Sequence, residues 1–236
     1  MTPERPEPVD AAEAFVRERF PRCRWAILSG SVITAARTPG SDLDIVLMQD
    51  GGTAHRESLR FRGWPVELFA QTEGHLRHFL DQDLTARRPS LHRMIATGRI
   101  LRDTDGEGAA TQRDCAEVLA AGPRPFSAEE LDRQRYGVTD LLDDARSAVD
   151  PAERLVIGST LWRATATLFL DVRGHWRGEG KWLWRELRDC DPAWAARWLA
   201  ARDDVDSACV IAEEVLTASG GPLFDGFRQD APPLGG

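Results

Sequence analysis

A small polar turn and a pair of acidic side chains are the residues in this sequence whose types and spacing could do chemistry. Gly30 and Ser31 follow an apolar, strand-like run, and ten residues separate Ser31 from Asp42. Asp42 and Asp44 lie two residues apart in a second strand-like run, so strand periodicity places both carboxylates on one face. Carboxylates held side by side repel one another, and a hard cation with oxygen ligands relieves that repulsion. The spacing therefore predicts a divalent-cation site.

The turn before this pair predicts anion binding. Residues 31–36 read as a short helix, whose first backbone N–H groups have no partner within the helix. Those groups and the helix dipole together favour a bound anion such as phosphate. We therefore expect a nucleotide triphosphate to lie over the turn and over the cations held by the carboxylates.

A third acidic residue is expected on a neighbouring strand. Glu67 is the lone charged residue in the apolar, β-prone run 64–69. If that run pairs beside the strand of Asp42 and Asp44 in suitable register, Glu67 joins the same face. Three carboxylates so placed can hold two divalent cations roughly 3.5–4 Å apart, which activate an attacking oxygen and stabilise a leaving one.

These residues resemble the signature of the polymerase-beta-like nucleotidyltransferase superfamily. That signature has a Gly-Ser turn, a paired Asp-x-Asp and a later acidic residue on the next core strand, and the resemblance covers roughly residues 20–105. It implies that Asp42 and Asp44 bind Mg²⁺ or Mn²⁺ and that Glu67 is a third ligand or a general base. ATP or another nucleoside triphosphate is the implied donor. The implied nucleotide contacts are Gly30, Ser31 and Ser41.

Composition agrees with a soluble enzyme that is long enough for two modest domains. The chain has 236 residues, of which 42% are hydrophobic and 29% charged. No apolar run in the sequence approaches the roughly 18 residues of a membrane span, so we expect a cytoplasmic protein with no membrane partner. Loose ends are expected at residues 1–8 and 229–236. The cysteines are scattered singly, which favours reduced thiols; they are Cys23, Cys115, Cys190 and Cys209.

The net charge of the protein indicates which kinds of binding partner its surface attracts. The formal net charge is −8, with 16 basic and 18 acidic residues up to position 121 and 14 basic and 20 acidic residues after it. An acidic surface repels polymeric nucleic acid and attracts a small cationic acceptor. The alternative, that the acidity only keeps the protein in solution, carries equal weight.

The chain changes character at residues 122–125, which we interpret as a linker. Residues 1–121 alternate helical and strand-like patterns and are expected to form a nucleotidyltransferase domain with a mixed sheet flanked by helices. Residues 122–236 are expected to form a helical acceptor-binding bundle, so the predicted fold class is α+β. The first half predicts helices at 10–20, 72–80, 84–97 with a break at Pro89, and 107–121, and strands at 25–28, 41–47, 64–69 and 99–101.

The second half reads as helical almost throughout. Ser127 and Glu130 have the spacing of a capping box, opening a helix that runs towards Val149. Asp150 and the proline after it begin another helix, and further helices are expected at 192 onward and 203–218. The apolar stripe of the second helix predicts the core of the bundle; its members are Leu155, Gly158, Trp162, Thr165, Phe169 and Val172.

Three features of the second half could serve the reaction, each with an ordinary structural alternative. Lys181 is the only lysine, against 29 arginines. Several relatives in the resembled superfamily place a basic residue of the helical domain on the triphosphate, so Lys181 is a nucleotide-binding candidate; a surface lysine is the alternative. Acidic and aromatic groups could bind or enclose the acceptor, or could be a solvated face and core packing. These are Asp140, Asp143 and Asp144, and Trp176, Trp182 and Trp184.

The layout resembles that of bacterial antibiotic nucleotidyltransferases. It implies transfer of AMP from ATP to a hydroxyl of a small, aminoglycoside-like acceptor, with release of pyrophosphate. Modification of a protein partner, as in some toxin and antitoxin pairs, is one alternative, and nucleotide sensing without turnover is another. A helical ribonuclease is disfavoured because no Arg-x4-6-His pattern follows residue 122. We leave open whether the chain forms a homodimer.

Overall fold

The computed structural model describes residues 5–230; residues 1–4 and 231–236 lie outside the described part. The chain divides between Ala121 and Gly122 into two compact units. The first combines a five-stranded sheet with helices and the second is helical, so the expected α+β class is confirmed. The elements of the first unit are α1 (Pro8–Arg19), β1 (Trp25–Ser29), a 3₁₀ turn (Ser31–Ile33), β2 (Leu43–Met48), β3 (His55–Phe61), β4 (Trp64–Gln71), α2 (Glu73–Thr85), α3 (Ser90–Thr97), β5 (Arg99–Asp103) and α4 (Glu107–Ala121).

The sheet has the strand order β3-β4-β2-β1-β5. The β2–β4 pair is parallel and the other neighbouring pairs are antiparallel. Because successive side chains alternate between faces, Ile45 and Leu47 pack with α1 on one face, whereas Val46 and Met48 pack with the layer of α2, α3 and α4 on the other. The sheet is therefore buried between two layers of helix along its central strands.

Strand β3 was missed by the sequence patterns. Most of its residues are exposed, and among the described strands it pairs with β4 alone. The apolar residues of one face, Leu59 and Phe61, come only at its end, so the sequence shows no alternation over the length of the strand. The signal that was present is the turn Arg62-Gly63, where φ is 47° and 84°. Two positive φ values between β-prone residues are typical of a two-residue hairpin turn.

One predicted helix of the first unit is wrong and the break expected in another is present. The segment 31–36 forms only a 3₁₀ turn that ends at Ile33, because Thr34 is extended with φ −124°. The break expected at Pro89 is confirmed, since α2 ends at Thr85 and α3 begins at Ser90. Asp83 Oδ2 accepts the backbone N–H of Leu91 at 2.7 Å and thereby caps α3 from outside the helix.

The second unit contains five helices within the described residues: α5 (Ala128–Ser147), α6 (Pro151–Val172), α7 (Lys181–Cys190), α8 (Pro192–Ala200) and α9 (Val205–Ala218). The capping box is present, since Ser127 Oγ accepts the Glu130 N–H at 3.1 Å and Glu130 Oε2 accepts the Ser127 N–H at 2.9 Å. Asp150 caps α6 through the N–H of Ala152. Helix α7 is not among the helices that the sequence patterns predicted.

The predicted stripe of α6 is correct only in part. Leu155 is 62% exposed, whereas Leu161 and Leu168 are fully buried in the core of the second unit. Two stacked aromatic pairs complete that core, with ring centroids 3.8 Å apart for Trp162 with Trp198 and 3.6 Å apart for Phe169 with Trp194. The core therefore follows the C-terminal two thirds of α6.

Helix α6 is also long and apolar enough to meet the criteria for a membrane span, contrary to the sequence expectation. In its most apolar stretch 44% of the residues are buried. A helix at the centre of a bundle passes the same test, so this one is weak evidence for a span.

The two loose ends fall partly outside the described residues, which exclude 1–4 and 231–236. Within the described part, the lead-in is attached, because the Pro6 carbonyl accepts the Trp64 Nε1–H at 2.9 Å and α1 begins at Pro8. Near the other end, the ring of Phe227 stacks on Tyr136 with centroids 4.1 Å apart.

Candidate active site

Three carboxylates meet at the end of the sheet where β2 and β4 begin. Asp44 in β2 and Glu67 in β4 are direct partners in the parallel pairing, and Asp42 lies one residue before β2. One oxygen from each of the three side chains lies within 4.8 Å of the other two. All three residues are half-buried. The register of two neighbouring strands thus assembles a cluster from residues that are far apart in the sequence.

Gly30 lies against this cluster. It follows β1, whose last residue Ser29 pairs with Asp44, and its φ is 89°. A Cβ at this position would lie 2.2 Å from Asp44 Oδ2, inside any permitted contact. Position 30 therefore requires glycine on two grounds: the positive φ and the space taken by the Asp44 carboxylate. Direct contact of Gly30 with a nucleotide stays a prediction.

Two serines tie the turn to the start of β2. Ser31 Oγ and Ser41 Oγ are hydrogen bonded at 2.9 Å, and Ser41 Oγ accepts the Thr38 N–H at 3.0 Å. Ser41 is buried and precedes Asp42 directly. The pair therefore braces the loop that positions the first aspartate, and their role as nucleotide contacts stays a prediction.

A residue that the sequence analysis missed also belongs to this site. Arg56 of β3 donates to Glu67 Oε2 at 2.7 Å, and its Cζ atom lies 5.0 Å from the centroid of the Phe69 ring. The register explains both contacts, because Arg56 is opposite Phe69 and diagonal to Glu67 on the same face. Arg56 could not be assigned without β3, the strand that carries it.

The donor set fits a hard divalent cation. It consists of carboxylate oxygens without thiolate or imidazole, which suits Mg²⁺ or Mn²⁺. Among residues 5–230 this is the one group of three acidic, histidine or cysteine side chains close enough to share an ion. The identity of the cation and its presence stay predictions.

A cavity of about 400 Å³ lies beside the turn in the first unit. Its walls include Val32 and Ile33 of the 3₁₀ turn and Val9 of α1, with Arg37 and Arg99 as its basic residues. Arg37 is already paired with an acidic wall residue, Glu7, at 3.3 Å. The cavity does not include any of the three carboxylates.

The residues of the second unit that could contact the nucleotide or the acceptor differ in their exposure to solvent. Lys181 is the exposed first residue of α7. The acidic residues Asp140, Asp143 and Asp144 are all exposed on α5, as expected for a solvated helix face. Trp176 is buried, Trp184 is half-buried and Trp182 is 39% exposed.

The cysteines are free thiols and none belongs to the carboxylate cluster. Three are buried: Cys23, Cys115 and Cys209. Burial raises the pKa of the Cys115 thiol to about 12, with a smaller contribution from nearby acidic groups. A thiol with so high a pKa is a poor nucleophile at neutral pH.

Comparison with known proteins adds one similarity in fold. No protein-family model and no curated protein matches the chain. Among solved structures, the chain is similar to a nucleotidyltransferase-like protein from Exiguobacterium sibiricum, with 15% sequence identity and a TM-score of 0.49, over 90% of this chain and 76% of that chain. At that TM-score the similarity carries no argument about function, which has to be inferred from the geometry of the carboxylates.

Proposed function

We propose that this protein is a metal-dependent nucleotidyltransferase. It transfers a nucleoside monophosphate, with AMP from ATP as the first candidate, to a hydroxyl group of a small-molecule acceptor and releases pyrophosphate. The observation that carries this proposal is the convergence of Asp42, Asp44 and Glu67 within 4.8 Å beside a glycine turn shaped around one of them.

The proposed step is an in-line displacement at phosphorus. The acceptor oxygen attacks the α-phosphorus of the donor and forms the new P–O bond, while the bond between the α-phosphorus and the α–β bridging oxygen breaks. Pyrophosphate leaves with that oxygen. The acceptor proton passes to Glu67, so atoms and charge balance without an oxidant or a reductant.

The chain's own residues supply position and electrostatics in this step. Asp42 and Asp44, with Glu67, would hold the cation, and Gly30 leaves the space in which the Asp44 carboxylate sits. A divalent cation bound there would neutralise the charge that develops on the phosphate oxygens. Ser31 and the neighbouring backbone amides orient the β- and γ-phosphates. Phosphoryl transfer needs little covalent help, so this arrangement supplies most of the catalysis.

The acceptor is proposed to be small and cationic. The net charge of −8 favours such a molecule over polymeric nucleic acid. The more acidic second half, residues 122–236, is the proposed acceptor-binding domain, and Lys181 is its candidate contact with the triphosphate. A cytoplasmic location would supply ATP as the donor and would keep the cysteines of the protein reduced.

The experiment that tests the proposal is a screen for pyrophosphate release. Purified protein is incubated with each of four nucleoside triphosphates and Mg²⁺ or Mn²⁺, against aminoglycosides, lincosamides, nucleosides and cell-extract proteins. We expect one acceptor class to stimulate release and to gain the mass of a nucleoside monophosphate. If only the protein fraction stimulates pyrophosphate release, and mass spectrometry finds a protein that carries AMP, the activity is instead protein AMPylation.

Nucleotide sensing without turnover is the other candidate function. The complete carboxylate set argues against it, because a sensor has no need of a third carboxylate beside the phosphates. Calorimetry with a nonhydrolysable ATP analogue separates the two cases. Cation-dependent binding of the analogue, together with no pyrophosphate release from any triphosphate, would indicate a sensor.

A further inference from the structure

The pairing of Arg56 with Glu67 has a consequence for cation binding that extends the proposed function and rests on it. Arg56 places a positive charge 2.7 Å from Glu67 Oε2, an oxygen of the carboxylate cluster. The side chain of Glu67 is 30% exposed and that of Arg56 62% exposed, so the guanidinium lies at the solvent side of the cluster. The chain therefore already supplies a cationic partner to this group of three mutually close carboxylates.

We propose that Arg56 is an internal counter-ion that competes with a divalent cation for Glu67. In the absence of a divalent cation, the guanidinium reduces the repulsion among the three carboxylates. A cation that binds to all three has to share Glu67 with Arg56 or displace it. Arg56 is thus a positioning residue that sets how tightly the cluster binds its cation.

The geometry of β3 supports this assignment to Arg56 in particular. Arg56 is held by two contacts at once, the Glu67 carboxylate and the face of Phe69. Arg60 is on the same strand and the same face, four residues further on, opposite Pro65. Within the described part of the chain, Arg60 makes no ion pair with Glu67 or with another acidic side chain. Arg60 is also diagonal to Glu67 in the register, so it provides a control with the same charge and a similar position but without the ion pair.

The expected effect follows from Coulomb's law. A single positive charge about 6 Å from a divalent cation weakens the binding of that cation by roughly tenfold in a water-like dielectric, and salt reduces this effect. Removing the charge and freeing the Glu67 oxygen should thus strengthen cation binding about 3-fold to 10-fold. A charge change at Arg60, which makes no ion pair with Glu67 within the described residues, should have a smaller effect.

The test is a titration of the intact protein with Mn²⁺, in which free Mn²⁺ is measured by electron paramagnetic resonance without nucleotide. We expect Arg56→Met to bind Mn²⁺ about 3-fold to 10-fold more tightly than wild type, and Arg60→Met to stay within about 2-fold of wild type. Arg56→Lys, which keeps the charge, should also stay within about 2-fold. Circular dichroism of each variant checks that the fold is retained.

Each of the other outcomes overturns either the inference alone or the inference together with the proposed function. Equal affinities of Arg56→Met and Arg60→Met would overturn the competition, and so would weaker binding by Arg56→Met, which would make Arg56 a support for the ligand. In both cases the proposed function would stand, provided that wild type binds Mn²⁺ and Asp44→Asn loses it. If wild type binds no Mn²⁺, or if Asp44→Asn does not remove the Mn²⁺ site, both the proposed function and the inference are overturned.

Discussion

Asp44 lies against the glycine turn and is the residue on which the proposed cation site and the proposed chemistry most depend. It pairs with Ser29 on one side and with Glu67 on the other, and Gly30 is shaped around its carboxylate. We expect Asp44→Asn and Asp42→Asn each to lower the rate of nucleotidyl transfer at least about 100-fold, because a neutral amide is a poor ligand for a hard cation. The thermal midpoint should be unchanged or higher, since the substitution removes repulsion between carboxylates.

This prediction is checked by steady-state pyrophosphate release alongside thermal unfolding of the same preparations. Ser58→Ala, which lies on β3 opposite Glu67, is a conservative control that leaves the three carboxylates in place. A large loss of thermal stability in both aspartate variants would mean that the residues are structural.

Gly30→Ala tests the turn separately from the carboxylates. The new Cβ would meet Asp44 Oδ2 at 2.2 Å, so either the turn or the carboxylate has to move. Alanine at a φ of 89° adds about 1 kcal/mol or more of backbone strain. We expect Mn²⁺ binding to weaken at least about 10-fold even though every ligand is still present.

The matched control for that experiment is Gly52→Ala. Gly52 also has a positive φ, 88°, but a Cβ there meets only Gln49 at 4.0 Å. Both variants therefore lose similar backbone freedom, and only one disturbs Asp44. Equal Mn²⁺ affinities for the two variants would show that Gly30 has no part in placing the carboxylate.

At the scale of elements, the capping box of α5 makes a pH-dependent contribution to stability. Hydrogen bonds from Arg124 and from the Ser127 backbone hold the pKa of Glu130 down, to about 2 from an ordinary value of 4.5. A carboxyl group with a depressed folded-state pKa contributes stability above its unfolded pKa and loses that contribution as the pH falls towards the folded value. The relevant window therefore runs from about pH 4.5 down to about pH 2.

We expect Glu130→Gln to lower the free energy of unfolding by about 1 kcal/mol at pH 7, because Arg124 is exposed and solvent weakens the pair. The difference between wild type and variant should shrink below pH 4.5 and vanish near pH 2. Urea unfolding at several pH values measures it. Glu129→Gln, whose ion pair is more exposed, should show little difference at any pH.

Helices and strands were predictable where neighbouring residues in the sequence define them. They were not predictable where they depend on a partner that is distant in the sequence. Adjacent residues define the cap at Ser127 and the apolar run of β2 with its two aspartates. The place of Glu67 beside them could be predicted only on the condition that β4 pairs with β2, as it does. Strand β3 has a polar sequence and exists because β4 pairs with it, so Arg56 stayed unassigned. The exposure of Leu155 likewise depends on which part of α6 the other helices cover.

At the scale of the whole molecule, the charge of −8 predicts weak interaction with nucleic acid polymers. We expect no change in fluorescence anisotropy of a labelled single-stranded RNA up to about 10 µM protein at moderate salt. Titration at several salt concentrations checks this. Binding that weakens steeply as salt rises would reveal a basic path on the surface and would redirect the search for the acceptor to nucleic acids.

We propose above all that the three carboxylates carry out cation-dependent nucleotidyl transfer. The most direct test of this claim is pyrophosphate release from ATP and the other three triphosphates, in the presence of a cell extract as the source of acceptor, by wild type and by Asp44→Asn. We predict release by wild type that requires Mg²⁺ or Mn²⁺ and is lost with EDTA, and at least about a 100-fold lower rate for Asp44→Asn. Equal rates for the two proteins, or release that persists in EDTA, would contradict the claim.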